Sequence, residues 1–203
     1  MNVPLQYQIT EYDCGPTSVM NAISLLFEQK SIHPAIIKGI YCYCLEGFDC
    51  HGEVGKTGTG RCAMEFLSKW LNQYGKQRRF PILTEVVPAQ QVLLAKGSPI
   101  VEGLRCGGCA IVRCRLGCEH YVLLTGLCGE DKVYMFDPYY SAKPLRRRDI
   151  VMLQDQPCFA NRIVSFDRLN RTDHDYYAMG APEGRQSILF FNTASATPRR
   201  EQA

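Results

Sequence analysis

Four residues of this chain have the types and spacing that acyl chemistry needs. Cys14 stands between Asp13 and the pair Gly15-Pro16, six residues after Gln8. Apolar residues then recur at Val19, Met20, Ile23, Leu26 and Phe27, the 3.6-residue period of a helix with one buried face. The spacing predicts a helix over 17–28, with Pro16 suited to a first helical position because its missing N–H has no intrahelical partner there. Cys14 is thus expected just before or at a helix N-terminus, where free N–H groups and the helix dipole stabilise a thiolate. A thiolate is a nucleophile, and it needs an acid/base partner.

His33, His51, His120 and His174 are the four candidates. His120 opens an apolar run, His120-Tyr121-Val122-Leu123-Leu124, and Asp137 closes the next one after a glycine-containing loop at 127–131. If these runs form an antiparallel hairpin, that loop is its closed end, and His120 and Asp137 lie side by side at the open end. A carboxylate there can hold an imidazole in one tautomer and orientation. Negative charge builds on the carbonyl oxygen during acyl transfer and must meet preorganised donors. The Gln8 amide and the Cys14 backbone N–H can supply them. Singly, each residue has a plainer reading: a buried thiol packs as a small apolar group, and Asp137-Pro138 is a turn start. The order and spacing of the four together carry the functional reading.

Gln8-x5-Cys14-Gly15-Pro16, followed by a helix, then His120-Tyr121-Val122-Leu123-Leu124 and Phe136-Asp137-Pro138, resembles the stand-alone type of the C39-like branch of the papain-like cysteine peptidases. The resemblance spans about residues 4–140 and is carried by these islands. It implies Gln8 as the oxyanion donor, Cys14 as nucleophile, His120 as base and Asp137 as the residue orienting it. Gln6 flanks Tyr7 on the other side, and the six-residue offset favours Gln8. Asp13 is expected to face solvent or cap the helix. The resemblance also implies a peptide or protein substrate, an acyl-enzyme and no cofactor. The best-known members cut leader peptides after a double glycine and are fused to exporter segments. Nothing here suggests a transporter, so that preference does not carry over directly.

Several elements must position these residues. Further helices are expected over 35–43, 61–74 and 86–96, the last ended by Gly97-Ser98-Pro99, with a glycine-rich loop over 46–60. Short β-branched or aromatic runs at 99–102, 110–115, 120–126, 132–137, 162–166 and 187–191 read as strands. Helices first and strands second give an α+β fold, a helical N-terminal half packed on a C-terminal antiparallel sheet, papain-like by the resemblance. The expected organisation is one domain over 1–192, with a core of about 4–140, an extension over 141–192 and a disordered tail over 193–203. The glycine-rich loop at 47–60 and the segment 103–109 are the expected walls of the substrate pocket.

With 203 residues, 46% of them hydrophobic and 21% charged, the chain can bury a core, and its net charge of +3 gives no reason to invoke nucleic acid. No apolar run reaches the ~18 residues of a membrane span. The N-terminus has no basic and apolar leader pattern, so a cytoplasmic location is expected. Eleven cysteines, an odd number, then argue against a disulfide framework. Cys106, Cys109, Cys114 and Cys118 raise the question of zinc, but only Cys106-Gly107-Gly108-Cys109 has the form of a metal knuckle. No metal is expected, and Cys106 and Cys109 are read as a turn near the site that could form a redox-labile pair. The competing functions are a cysteine acyltransferase or transpeptidase on the same scaffold, a leader-peptide binding module without turnover, and a cysteine-rich metal or redox protein.

Overall fold

The computed structural model describes residues 3–28, 32–44, 51–53, 56–141, 145, 147–153 and 158–195. The first helix, α1 (Cys14–Phe27), is buried along almost its whole length, as a helix enclosed by its neighbours must be. Cys14 is its first residue, so Pro16 falls at the third helical position. Helices α2 (Pro34–Cys44) and α3 (Arg61–Arg78) pack with it. Ile36, Ile40, Met64, Leu67 and Leu71 are all buried in the same cluster, and each such side chain stabilises the fold by about 1.5–3 kcal/mol.

Seven strands and five helices are seen among the described residues. The strands are β1 (Ile82–Val87), β2 (Cys109–Arg115), β3 (Glu119–Cys128), β4 (Lys132–Phe136), β5 (Ile150–Met152), β6 (Arg162–Ser165) and β7 (Ser187–Asn192). They form one antiparallel sheet in the order β1-β7-β2-β3-β4-β6-β5. Side chains alternate across it. Ile111, Tyr121, Leu123 and Phe136 join the cluster of α1, while Val112, Val122, Leu124 and Met135 join a second cluster with helix α4 (Pro99–Arg105) and helix α5 (Phe166–Asn170). The chain is therefore α+β, with a sheet covered by helices on both faces.

The stretch read as an extension is woven into this sheet. β7 lies between β1 and β2, and β6 lies between β4 and β5. Thr193 continues from β7, its N–H donating to the Pro81 carbonyl at 2.8 Å. The rest of the expected tail, 196–203, lies outside the described residues, as do 46–50, 54 and 55 of the expected loop.

Two expected elements are corrected. The run at 86–96 is not a helix: Val86 and Val87 end β1, and a 3-10 turn at Ala89–Gln91 follows. β-branched residues suit a strand, and Asn170 fastens the next segment by bonding both the N–H and the carbonyl of Leu94, at 2.9 and 2.8 Å. The run at 99–102 is not a strand but the start of α4. The Ser98 hydroxyl accepts from the Val101 N–H at 3.4 Å, and Pro99 sits in the first turn. A serine cap before a proline is a helix start, and here it overrides the β-branched composition. Among the described residues no helix is long and apolar enough to cross a membrane.

Candidate active site

Helix α1 and strand β3 meet where their reactive residues lie. Ser18, one turn after Cys14, donates its hydroxyl to the Tyr121 carbonyl at 3.3 Å. That bond fixes the start of the helix against the strand residue next to His120. Cys14 is buried. Asp13, before it, is buried too, and its carboxylate accepts the Thr10 N–H at 3.2 Å. It holds the N-cap position of α1, as one of the two expected roles had it, but its side chain makes no cap bond because the tight turn at Thr10 takes its oxygen.

His120 and Asp137 sit side by side at the open end of the β3–β4 hairpin, which closes through Gly129. Nε2 of His120 is 2.8 Å from Oδ1 of Asp137, and both residues are buried, at 4% and 1% exposure. Burial alone would strip the imidazole of its proton. The Asp137 charge and hydrogen bond outweigh burial, Cys14 adds a hydrogen bond and a charge, and the imidazole is pushed up from 6.5 to about 10. Asp137 is shifted the other way. Burial opposes its charge, but His120, the Tyr177 hydroxyl and the Tyr139 N–H hold its carboxyl below the ordinary value. Its Oδ1 also accepts from Tyr139 N–H at 2.8 Å, and its Oδ2 accepts from Tyr177 at 2.6 Å.

The segment carrying Gln8 is fastened at both ends. Asn21 of α1 bonds the N–H and carbonyl of Gln6, at 2.8 and 2.9 Å. The Gln8 N–H donates to the Pro138 carbonyl at 2.9 Å, beside Asp137. The Gln8 amide donates one N–H to the Thr10 carbonyl at 2.9 Å, and a primary amide has a second. Gln8, His120 and Asp137 line one cavity of about 340 Å³, together with Leu116, Arg162, Tyr176 and Tyr177. Cys14 is not part of that lining and bears on His120 through its contribution to the raised imidazole. Gln6 is exposed and does not line it.

His33, His51 and His174 are exposed and line no part of this cavity. The described part of the 46–60 loop does reach the helix start: a Cβ on Gly15 would lie 2.6 Å from Thr59 Oγ1. The 103–109 segment does not reach the site. Leu104, Gly107 and Gly108 line a larger cavity of about 840 Å³ with Gly126 and Tyr134, at the other end of β3.

The expected turn of Cys106 and Cys109 near the site is corrected for the same reason. Cys109 opens β2, whereas Cys114, near the other end of that strand, pairs across to His120. Burial, Asp137 and Cys14 all push the Cys114 thiol well up. Ten cysteines among the described residues are free thiols, and no three metal-ligating side chains gather there.

Asn161 and Tyr177 surround Asp137 but were not found from the sequence. No short-range pattern marks either residue. They come from chain far beyond Asp137 and meet it only through the sheet order.

A family model described as the Peptidase_C39 like family matches residues 1–156. No curated protein matches the chain.

Proposed function

This chain belongs to the Peptidase_C39 like family, and on that premise we propose that it is a cysteine peptidase acting through Cys14, His120, Asp137 and Gln8. The observation that carries the proposal is the placement of His120, bonded to a buried Asp137 on one side and influenced by Cys14 on the other. In such an arrangement His120 can take the thiol proton as the sulfur becomes the nucleophile. The sulfur attacks the scissile carbonyl carbon, and the carbonyl electron pair moves to oxygen. The Cys14 N–H and the spare Gln8 N–H stabilise that oxyanion. His120 gives its proton to the leaving amine, the C–N bond breaks, and an acyl-enzyme remains. His120, now neutral, takes a proton from water, which attacks the thioester carbon; the C–S bond then breaks, its electron pair returns to the Cys14 sulfur, and the acid is released. Asp137 keeps the ring oriented throughout. No cofactor takes part.

The fold belongs to the same reading: a thiol-bearing helix start laid against a sheet that carries the imidazole is a papain-like arrangement. The substrate is a peptide or protein, leader peptides included. Free thiols throughout the described chain suit a reducing compartment such as the cytoplasm.

The test compares the whole chain with its Cys14→Ala variant against a peptide library that includes leader peptides with and without a double glycine. Cleavage by the first and none by the second supports the reading. Cleavage by both overturns it. Transfer of the acyl group to an added amine, with no hydrolysis, replaces it with an acyltransferase. Iodoacetamide labelling at about pH 6 adds a readout free of substrate, because only an activated thiol reacts quickly there.

A further inference from the structure

Tyr177 has an unusual backbone for a bulky residue. Its φ of 62° lies in the left-handed region, where a side chain crowds the following carbonyl at a cost of roughly 1–2 kcal/mol. Yet its ring is wholly buried. The conformation is held by β2: the Arg115 carbonyl accepts the Tyr177 N–H at 2.6 Å, and the Ala178 carbonyl accepts the Arg115 N–H at 3.0 Å. Strain kept in place by surrounding bonds points to a role for the side chain it aims.

That side chain donates its hydroxyl to Asp137 Oδ2 at 2.6 Å. The other carboxylate oxygen already serves His120 Nε2 and the Tyr139 N–H, both at 2.8 Å. With Oδ2 held, the carboxylate cannot turn about its Cβ–Cγ bond without breaking a short buried bond. Such a turn would carry Oδ1 away from His120.

We propose that Tyr177 is a positioning residue for Asp137, its hydroxyl fixing the carboxylate rotamer that keeps His120 in place. The inference rests on the reading of Cys14, His120 and Asp137 as the reacting set. It makes the chain beyond residue 156, where the family match ends, part of the site. The charged and titratable groups around Asp137 are His120 on β3, Cys114 on β2, Cys14 on α1 acting through His120, and Arg162 on β6 acting through Tyr177. Burial and the Asp137 charge keep the tyrosine proton on, against an opposing pull from Arg162, so the donor persists wherever Asp137 is ionised.

The experiment removes the hydroxyl alone, with Tyr177→Phe in the full chain. The expected result is a fall in kcat of about tenfold or more with KM changed less than about twofold, the signature of misplaced reacting groups. NMR titration of the His120 ring is expected to move toward lower pH, because a carboxylate that swings away supports the imidazolium less. If the hydroxyl only neutralised Asp137, its loss would leave a stronger anion and move the titration upward. An upward shift or none overturns the proposal. In the Asp137→Asn chain, adding Tyr177→Phe is expected to lower kcat no further; losses that multiply overturn it. A Phe variant without a cooperative melt also overturns it, since the hydroxyl would then hold the fold. The NMR readout needs no turnover. A chain inactive on every peptide that still shows the downward shift refutes the peptidase reading and leaves this one standing.

Discussion

Asn161 grips the Asp137 peptide on both sides. Its Oδ1 accepts the Asp137 N–H and its Nδ2 donates to the Asp137 carbonyl, each at 2.8 Å. Both residues are buried, so neither backbone group has water as a substitute partner. Asn161→Ala should therefore expose the full desolvation penalty of two unpaired groups, about 1–3 kcal/mol each. Urea denaturation is expected to show a loss of about 2–6 kcal/mol, accompanied by reduced cleavage because Asp137 is no longer held. A loss within ±0.5 kcal/mol, the range of an ordinary surface substitution, would mean that the bonds do not matter.

Much of the site's machinery was legible because its signals are local. The apolar period after Cys14 and the two runs flanking the 127–131 loop predicted a helix start and a hairpin, and the structure has α1 beginning at Cys14 and β3 paired with β4. Local signals misled where two of them disagreed. At 99–102 the β-branched run suggested a strand, with Gly97-Ser98-Pro99 read only as the end of a preceding helix, whereas Ser98 caps α4; at 86–96 turn-forming and apolar residues imitated a helix. What no local signal contained was the insertion of β6 and β7 into a sheet begun earlier in the chain. Asn161 and Tyr177 arrive at Asp137 by that route, and the left-handed conformation of Tyr177 leaves no mark on its neighbours in sequence.

Stability should depend on pH through His120 and Asp137 in opposite directions. The His120 proton affinity is raised by folding, from 6.5 to about 10, with burial outweighed by Asp137 and Cys14. Its contribution is fully present below about pH 6.5 and is lost as pH rises through about 10. Asp137, lowered from 3.8, contributes above that value, and its contribution is lost as pH falls through the depressed one. Thermal melts of the wild-type chain should therefore decline from about pH 7 to about pH 10. Asp137→Asn should be less stable at neutral pH and decline less over that alkaline range. Parallel curves for the two chains would show that the pair does not govern the alkaline limb.

Gly15 is needed for its lack of a side chain, not for its backbone. Alanine is better than glycine inside a helix by about 1 kcal/mol, so Gly15→Ala should stabilise an unhindered α1. Here the added Cβ would lie 2.6 Å from Thr59 Oγ1 and 2.8 Å from Thr59 Cβ, too close for either to remain. The net result should be a loss of roughly 1–3 kcal/mol, as for other overpacked sites, and slower alkylation of Cys14 as the helix start shifts. Combining it with Thr59→Gly should restore the alkylation rate. No recovery would place the fault elsewhere than in this contact.

Gln8 offers the sharpest separation of oxyanion stabilisation from thiol activation. Its amide bonds the Thr10 carbonyl and lines the cavity shared with His120 and Asp137. Gln8→Ala should therefore lower kcat on a peptide by about 10²–10³, the usual loss for one oxyanion donor, while KM changes little. Alkylation of Cys14 by iodoacetamide forms no oxyanion, so its rate and pH profile should match those of the wild-type chain. A Gln8→Ala chain that cleaves at full rate would transfer the donor role to another group. One whose alkylation falls in step with its cleavage would show that Gln8 shapes the helix start rather than the reaction.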